Sequence, residues 1–274
     1  MPILLLICAC ASGTAHEVIH RRVPPDFTGH MQTWWADDRL REEGDYKEGR
    51  RNGHVRGYHP DGSAAFEGDF IDGVPTGKLE QHFPGGALAL TEVVEAGAVQ
   101  GPRTEYWPTG KVRATTAIVD GKKDGPEVQY TESGAPATAG SYSRGVPIGV
   151  WHSWDEQGRL TSETCYFRTG DQPAGYLETD FDTDGRISVQ TRMLLDAGSW
   201  SGQVTMWYPS GRQAGLVEYR NGVRQGRDVS WDPEGRKRAE GQRLDDLRTG
   251  AWTFWDESGK VERTVAYDKD HEVR

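Results

Sequence analysis

Three carboxylates spaced two residues apart are the first feature of this sequence that could bind a metal ion. Asp180, Asp182 and Asp184, followed by Gly185, match the opening of a calcium-binding loop, in which alternate carboxylates surround the ion. Such a loop carries a bidentate glutamate at its twelfth position, and that position is Thr191 here. The same segment also fits a turn that recurs along the chain. We therefore expect a turn at these residues and no metal ion.

Residues for nucleophilic catalysis do not assemble in the sequence. Cys165 has no flanking glycine elbow and no placed base. His30 and His54, which are 24 residues apart, fit a solvent-exposed position, and no histidine or cysteine pattern has metal-ligand spacing. A phosphate-binding loop and a dinucleotide fingerprint are also missing. We therefore expect no catalytic residue and no cofactor, and we predict that the protein is not an enzyme.

All of these residues lie within a repeated pattern of glycines. The period is 24 residues, with small insertions in the middle, and it defines a repeat domain over residues 29–274. Ten units begin at Gly29, Gly53, Gly77, Gly101, Gly125, Gly149, Gly175, Gly202, Gly226 and Gly250. The insertions fall between Phe167 and Trp200, where we expect either tolerated loop growth or a kink that contacts a partner.

Each unit reads as a β-hairpin. A second glycine follows the first by nine residues in most units, as in His59-Pro-Asp-Gly62, where proline and glycine favour a turn. After the turn, residues alternate, with Ala64, Phe66, Gly68 and Phe70 sharing one face of a strand. No segment has a sustained helical period. The sequence therefore predicts an all-β, elongated repeat protein, with about ten 24-residue hairpins in one twisted antiparallel meander sheet.

Aromatic residues fall into two groups. The aromatic column lies four residues before the second glycine and comprises Trp34, Tyr58, Tyr106, Tyr130, Trp154, Phe181, Trp207, Trp231 and Trp255. We expect the column to be mainly structural, because nearly every unit carries it. The aromatic residues outside it are the better candidates for partner binding. These candidates are Trp35, Trp107, Trp151, Trp200, Tyr208, Trp252 and Phe254.

Mid-strand glycines are the other unusual feature of the pattern. Gly44, Gly68, Gly140 and Gly241 occupy one position in their units, although glycine weakens a strand. We expect an aromatic ring of the neighbouring strand to lie over each glycine, and the alternative is a simple bulge.

The repeated residues resemble a known family. Phe66-Glu-Gly-Asp-Phe70, followed by Asp72-Gly73 and Gly77, is similar to the core of MORN repeats, and the longer spacing resembles the bacterial MORN-repeat variant. That variant occurs in YwqK-type antitoxins and in secreted or lipid-anchored bacterial proteins. The resemblance implies a repeat scaffold and an antitoxin-like or binding role.

The charge of the chain excludes some classes of partner. There are 32 Lys and Arg against 42 Asp and Glu, giving a net charge of −10. Nucleic acid and anionic lipid both attract basic surfaces, so neither is expected to bind the repeat domain.

The first residues carry an apolar run that is too short to span a bilayer. Residues 1–15 are typical of a secretory signal, and residues 16–28 are expected to be a linker or cap. Ile7-Cys-Ala-Cys10 resembles a lipoprotein signal that would be acylated at Cys10, and cleavage after Ala15 is the competing interpretation. Both place the protein at the cell envelope or outside the cell, and a cytoplasmic location fits less well.

Two function classes remain open. The first is a non-enzymatic scaffold that binds a protein or glycan at the envelope. The second is an antitoxin or immunity protein that neutralises a cognate toxin, as the family resemblance implies. The membrane would be contacted only through an N-terminal lipid.

Overall fold

The computed structural model describes residues 22–170 and 172–273, and strands dominate this part of the chain. Residues 1–15, with the candidate Cys10, lie outside the described residues. The strands are β1 (Gly29–Trp34), β2 (Leu40–Lys47), β3 (Arg50–Tyr58), β4 (Ala64–Ile71), β5 (Val74–His82), β6 (Leu88–Glu95), β7 (Ala98–Tyr106), β8 (Val112–Val119), β9 (Lys122–Tyr130), β10 (Pro136–Ser143), β11 (Val146–Trp154), β12 (Leu160–Thr169), β13 (Gln172–Phe181), β14 (Ile187–Asp196), β15 (Ser199–Trp207), β16 (Gln213–Arg220), β17 (Val223–Trp231), β18 (Lys237–Leu244), β19 (Leu247–Trp255), β20 (Val261–Asp268) and β21 (His271–Val273).

The strands form one open antiparallel sheet in which each strand pairs with the next along the chain. Register pairs join β1 to β2, β2 to β3 and so on to β20 and β21, giving a single 21-stranded meander. Neighbouring strands lie about 4.8 Å apart, so the sheet extends roughly 96 Å along its stacking direction. The prediction of an elongated all-β meander is confirmed. No residue in the described ranges forms a helix capable of crossing a membrane.

Five-residue turns close one edge of the sheet, and we call this the long-turn edge. In the turn at His59–Ser63, the Gly62 amide donates to the His59 carbonyl at 2.8 Å, and Gly62 has φ +89°. Pro60 precedes this left-handed residue by two positions, where its fixed φ favours the turn. The second glycine of each unit was predicted to mark a hairpin tip, and the structure confirms it.

Two-residue turns close the opposite edge, which we call the tight-turn edge. Asp72 and Gly73 both have positive φ, +48° and +86°, as a type I′ turn requires. The Gly73 amide also donates to the Arg51 carbonyl at 2.8 Å, which joins this turn to the preceding unit. At the start of the sheet, the Phe27 carbonyl accepts the Gly49 amide at 2.9 Å in the corresponding way.

Most glycines of the 24-residue period lie at β-bulges. Gly44 lies opposite Val55 and Tyr46 lies opposite Arg51, so β3 carries two more residues than β2 over this interval. Gly53 lies within the interval and has φ +124°, a conformation that L side chains rarely adopt. The need for that backbone angle explains the strict period in the sequence.

The sequence insertions lengthen strands rather than loops. β12, β13 and β14 have ten residues each, whereas the other strands between β2 and β20 have eight or nine. The two extra residues of β14 match it to β15, and the two strands pair without a register shift from Val189–Met206 to Asp196–Ser199. Gly202 accordingly lacks the positive φ of the other period glycines. The expectation of loop growth in this zone is therefore wrong.

The two faces of the sheet differ in chemistry. The packed face carries Met31, Val55 and Leu79 at the centre of β1, β3 and β5, and Val55 is fully buried. The charged face carries the residues between them, including His54 and Glu67, which are ion-paired. We use these two names below.

The mid-strand glycines lie on the packed face beneath side chains of the following strand. Trp151 covers Gly140 and Trp252 covers Gly241, and in both cases a Cβ atom would collide with the indole ring. Gly44 and Gly68 instead face Val55 and Leu79, so the expectation of an aromatic ring there is wrong. The covering side chains also lie outside the aromatic column. The glycine makes room for whatever side chain the next strand presents.

Candidate binding surface

The charged face is covered by pairs of opposite charge. His54 lies between Asp69 and Glu67 at 3.0 and 3.1 Å, and Arg56 pairs with Glu67 at 2.6 Å. Hydrogen bonding to Asp69 raises the pKa of His54. His30 pairs with Asp45 at 2.9 Å in the same way one unit earlier. These histidines are more than half exposed, so the expected solvent-exposed position is confirmed.

The packed face holds ion pairs of another kind, in which a cation lies over aromatic rings. Arg51 donates to both oxygens of Glu42, at 2.8 and 2.6 Å, and its guanidinium lies 4.7 Å from the Phe66 ring centre and 5.1 Å from that of Phe70. Burial alone raises the pKa of Glu42, but hydrogen bonds from Arg51 and Tyr46 outweigh it and lower the pKa below its ordinary value. Cation, carboxylate and aromatic ring therefore form one unit on this face.

A second cluster of this kind surrounds Glu127, which is 2% exposed. Its carboxylate accepts hydrogen bonds from Thr116 and Gln129, both at 2.9 Å, and pairs with Lys123. The Lys123 ammonium lies 4.7 Å from the Tyr142 ring centre. Desolvation raises the pKa of Glu127, and the hydrogen bonds outweigh it and leave the pKa lowered. A buried carboxylate is tolerated here because each of its neighbours donates to it.

Three of the predicted partner-binding residues lie on the long-turn edge and contact the next unit. The indole Nε1 atoms of Trp35 and Trp107 donate to the carbonyls of Tyr58 and Tyr130, at 3.3 and 3.2 Å. The Tyr208 hydroxyl donates to the Trp231 carbonyl at 2.8 Å. Each acceptor is the column residue of the following unit, so these side chains connect consecutive hairpins.

The other four predicted partner-binding residues lie on the packed face. Trp252 is 5% exposed, and its ring lies 6.3 Å from that of Phe254. Trp151 contacts Tyr142 edge to face at 5.0 Å. Trp200 is 37% exposed, which leaves it the most accessible of the tryptophans that contact another ring on this face. The structure thus brings Trp252 and Phe254 together and separates them from Trp151 and Trp200; partner binding by the seven residues stays a prediction.

Two shallow grooves cross the sheet near its first units. One, of about 370 Å³, is lined by Arg51, Phe66, Phe70 and Leu79. The other, of about 350 Å³, has Trp107 in its wall. Neither encloses a small molecule, so extended contact along the face fits this surface better than a pocket.

The calcium-like segment forms the turn that recurs along the chain. Asp182 Oδ1 accepts the amides of Asp184 and Arg186, both at 2.9 Å, as Asp232 Oδ1 does for Glu234 and Arg236. Asp180 lies apart from them, in β13 on the packed face. Within residues 22–170 and 172–273, no three histidine, cysteine, aspartate or glutamate side chains are grouped for a metal ion.

The cations of the packed face are candidate functional residues that sequence reasoning missed. Arg51, Lys123 and Arg248 each lie two residues before a period glycine, and each lies over the ring of Phe70, Tyr142 or Tyr267. Their common position relative to the glycine was a visible signal. It could be interpreted only with the register, because the ring is 19 residues further along the chain.

Comparison with known proteins supports the repeat. The family model of the MORN repeat variant matches residues 248–269, which is one unit of the sheet. No curated protein matches the chain. Among solved structures, a crystal structure of TcdB2-TccC3-TEV matches with 9% identity and a TM-score of 0.15, covering 88% of this chain and 16% of that one. The chain thus spans less than a fifth of that protein's length.

Proposed function

We propose that this protein is a non-enzymatic scaffold whose packed face binds a macromolecular partner, a protein or a glycan, at the cell envelope. One observation carries the proposal: all the described strands belong to one sheet, so no second layer built from them covers its packed face. A sheet normally buries its apolar face against another element. Many side chains of this face bury one another, and the aromatic residues that stay accessible, such as Trp200, are typical of a binding surface.

The repeat supports an extended contact rather than a single pocket. Each unit contacts mainly its neighbours, so the scaffold presents a long surface whose side chains vary from unit to unit. The matched MORN-variant repeat fits such a scaffold. A glycan would stack on the aromatic rings, and a protein would use the rings together with the charges.

Photo-crosslinking tests which face binds. Thr191 and Gln190 are neighbours in β14, both half-buried, and they lie on the packed and the charged face respectively. A benzoyl-phenylalanine at residue 191 should capture a partner in cells of the source organism, and one at residue 190 should not. Equal capture from both positions, or none from 191, would contradict the proposal. A captured protein that is toxic alone and harmless in the complex would favour the antitoxin or immunity role.

The envelope location is tested separately. If Cys10 is acylated, Cys10→Ser should move the protein from the membrane fraction to the soluble fraction, because lipid chains would be its membrane anchor. Unchanged membrane association would contradict acylation. Recovery of the wild-type protein with cytoplasmic markers would contradict the location.

A further inference from the structure

The widened part of the sheet holds two carboxylates on the packed face that lack a cation. Glu178 lies between Thr164 and Thr191 on the adjacent strands, and Asp180 lies between Ser162 and Val189. No lysine, arginine or histidine of residues 22–170 and 172–273 forms an ion pair with either carboxylate. Two half-buried negative charges thus lie two residues apart among uncharged neighbours.

Burial leaves these carboxylates poorly compensated. Burial and the nearby Asp180 raise the pKa of Glu178 and outweigh the hydrogen bond from Thr164, and burial raises the pKa of Asp180. The cation of β12 on this face is Arg168, four residues from Thr164, or about 13 Å along the strand. A positive group that reached the two carboxylates would therefore be bound by both charges.

Other units of the same sheet show what such carboxylates bind. Glu127 and Asp228 occupy the place of Glu178 in their own strands, lying opposite Thr116 and Val217. Glu127 pairs with Lys123, and Asp228 pairs with Arg243. The equivalent position therefore carries a lysine or arginine partner in two other units.

The register shows why Glu178 has lost both of these partners. Lys123 lies opposite Ile118, and the corresponding place in β13 is held by Tyr176 opposite Tyr166. Asp228 lies opposite Gly241 of β18, and Arg243 lies two residues further along that strand, opposite Gly226. Met193 holds the corresponding place on β14, opposite Tyr176. The residues inserted here have moved the bulge beyond Phe167, so β12 and β13 pair regularly from Ser162–Asp180 to Phe167–Gly175, and a tyrosine now lies where a cation would be.

Aromatic rings lie around the two carboxylates that lack a cation. The Tyr166 and Tyr176 ring centres are 6.3 Å apart, and the Trp200 ring lies 5.5 Å from Tyr176. Arg51 is an example in this chain of a cation held by a carboxylate and aromatic rings. Its guanidinium pairs with both oxygens of Glu42 while lying over Phe66 and Phe70. A planar guanidinium is suited to both contacts at once.

We propose that Glu178 and Asp180, with Tyr166, Tyr176 and Trp200, form a docking site for an arginine side chain of a partner protein. The proposal rests on the proposed binding function and specifies the partner as a polypeptide that presents an exposed arginine. The net charge of −10 complements such a partner, and Trp200 provides an accessible margin to the site. The partner's arginine would supply in trans the cation that the units of Glu127 and Asp228 supply themselves.

A matched pair of small probes tests the site without the partner. N-acetyl-arginine amide should shift the NMR signals of Tyr166, Tyr176 and Thr191 saturably, with a dissociation constant on the order of 1–10 mM for one cation on aromatic rings. N-acetyl-citrulline amide has nearly the same shape without the charge and should shift none of them. The double variant Glu178→Gln/Asp180→Asn should weaken the arginine probe at least tenfold, while Glu262→Gln, at an exposed residue of β20, should not. Equal effects of both probes, or binding unchanged by the double variant, would overturn the proposal.

The second test introduces a cation beside the two carboxylates by substitution. Met193→Arg restores the cation at the place of Arg243, so it should raise the melting temperature and abolish binding of the arginine probe. Leu194→Arg, on the opposite face of the same strand, should do neither. If Met193→Arg leaves probe binding intact, the assigned site is wrong.

The two proposals fail in different ways. If residue 191 captures a partner equally well in wild-type and Met193→Arg protein, the result supports the scaffold function and contradicts the arginine site. If the arginine probe binds as expected and no partner is captured, the result supports the arginine site and contradicts the binding function.

Discussion

The indole ring of Trp252 occupies the space that a side chain on residue 241 would need. Its Nε1 atom donates to the Gln242 carbonyl at 3.0 Å, and the side chain is 5% exposed. Gly140 and Trp151 repeat this relationship, with Nε1 donating to the Ser141 carbonyl at 3.2 Å. Glycine in one strand and tryptophan in the next thus form a single packing unit of a sheet that has no second layer among the described strands.

Substitution of Gly241 by alanine should therefore destabilise the sheet. The new methyl group meets the indole of Trp252, and overpacking of this kind costs about 1–3 kcal/mol. Gly68→Ala is the matched control, because it meets the flexible Leu79 Cδ1 at 2.9 Å and should cost less. Urea unfolding measures both. A smaller cost at Gly241 than at Gly68 would show that the ring can move aside.

The hydroxyl of Tyr208 should contribute to the contact between consecutive units. Tyr208→Phe keeps the ring and removes the donor to the Trp231 carbonyl, so we expect a loss of about 0.5–1.5 kcal/mol. Hydrogen exchange should become faster at the long-turn edge of the last units. Tyr219→Phe serves as the control, because its hydroxyl has no hydrogen bond to a described residue. Equal losses in the two variants would refute the contact.

The tight turns carry residues that can be improved. Ala197 has φ +46° in the first position of its turn, and Asn221 has φ +51° in the equivalent position of the next. Asparagine tolerates this angle better than alanine, so Ala197→Asn should raise the melting temperature and Asn221→Ala should lower it. The expected size is about 1 kcal/mol in each direction, at the lower end of the cost of a left-handed backbone. A shift of the same sign in both variants would show that backbone preference does not control these turns.

The carboxyl group of Glu127 should make the free energy of unfolding depend on pH in the acidic range. The pKa of its carboxyl is lowered in the folded protein, so its contribution is present above the unfolded value of about 4.3 and is lost as the pH falls through the folded pKa. Glu127→Gln should lose about 1–3 kcal/mol at pH 7 and should show a flatter stability curve below pH 4.3. Glu262→Gln, at an exposed position, should leave the curve unchanged. A Glu127→Gln curve parallel to wild type would exclude this carboxyl as the titrating group.

Removal of the unit 226–249 should leave a folded protein. Arg224 and Arg248 hold the same place in consecutive units and contact Asp246 and Asp270 in the same way, with Nε at 2.9 and 3.1 Å. After the deletion, Arg224 takes the place of Arg248 beside Asp270, so the contact is preserved. Circular dichroism and a cooperative melt would verify this. Deletion of half the unit, residues 226–237, reverses the strand direction downstream and should abolish the cooperative melt.

Removal of the unit 101–124 should cost more than removal of 226–249. Arg103 lies between Glu92 and Thr116 on the packed face, and its loss would place Glu127 beside Glu92. Two largely buried carboxylates without their cation and hydroxyl partners repel each other. Equal melting temperatures for the two deletion proteins would show that packed-face pairing contributes little to stability.

The repeat, the hairpins and the turn at the second glycine of each unit could be predicted from the sequence, because each depends on local backbone chemistry. Gly62 and Gly73 take positive φ at fixed spacing, and proline precedes the turn where its φ fits. The packing above the mid-strand glycines could be predicted only in part. Glycine signals that a neighbour approaches closely, but it does not say whether that neighbour is Trp252 or Leu79.

The candidate site was beyond the reach of the sequence for the same reason. In other units, Lys123 and Arg243 occupy the places that Tyr176 and Met193 occupy beside Glu178. The missing cation is visible only from this comparison, and the comparison needs the register of the strands. In most units a bulge shifts the register by two residues, and the insertions move it beyond Phe167 here. The sequence by itself therefore determined the repeat and its turns, since these are properties of single residues and their spacing. The tertiary structure decided which side chains meet across strands, because pairing depends on a register that bulges change from unit to unit.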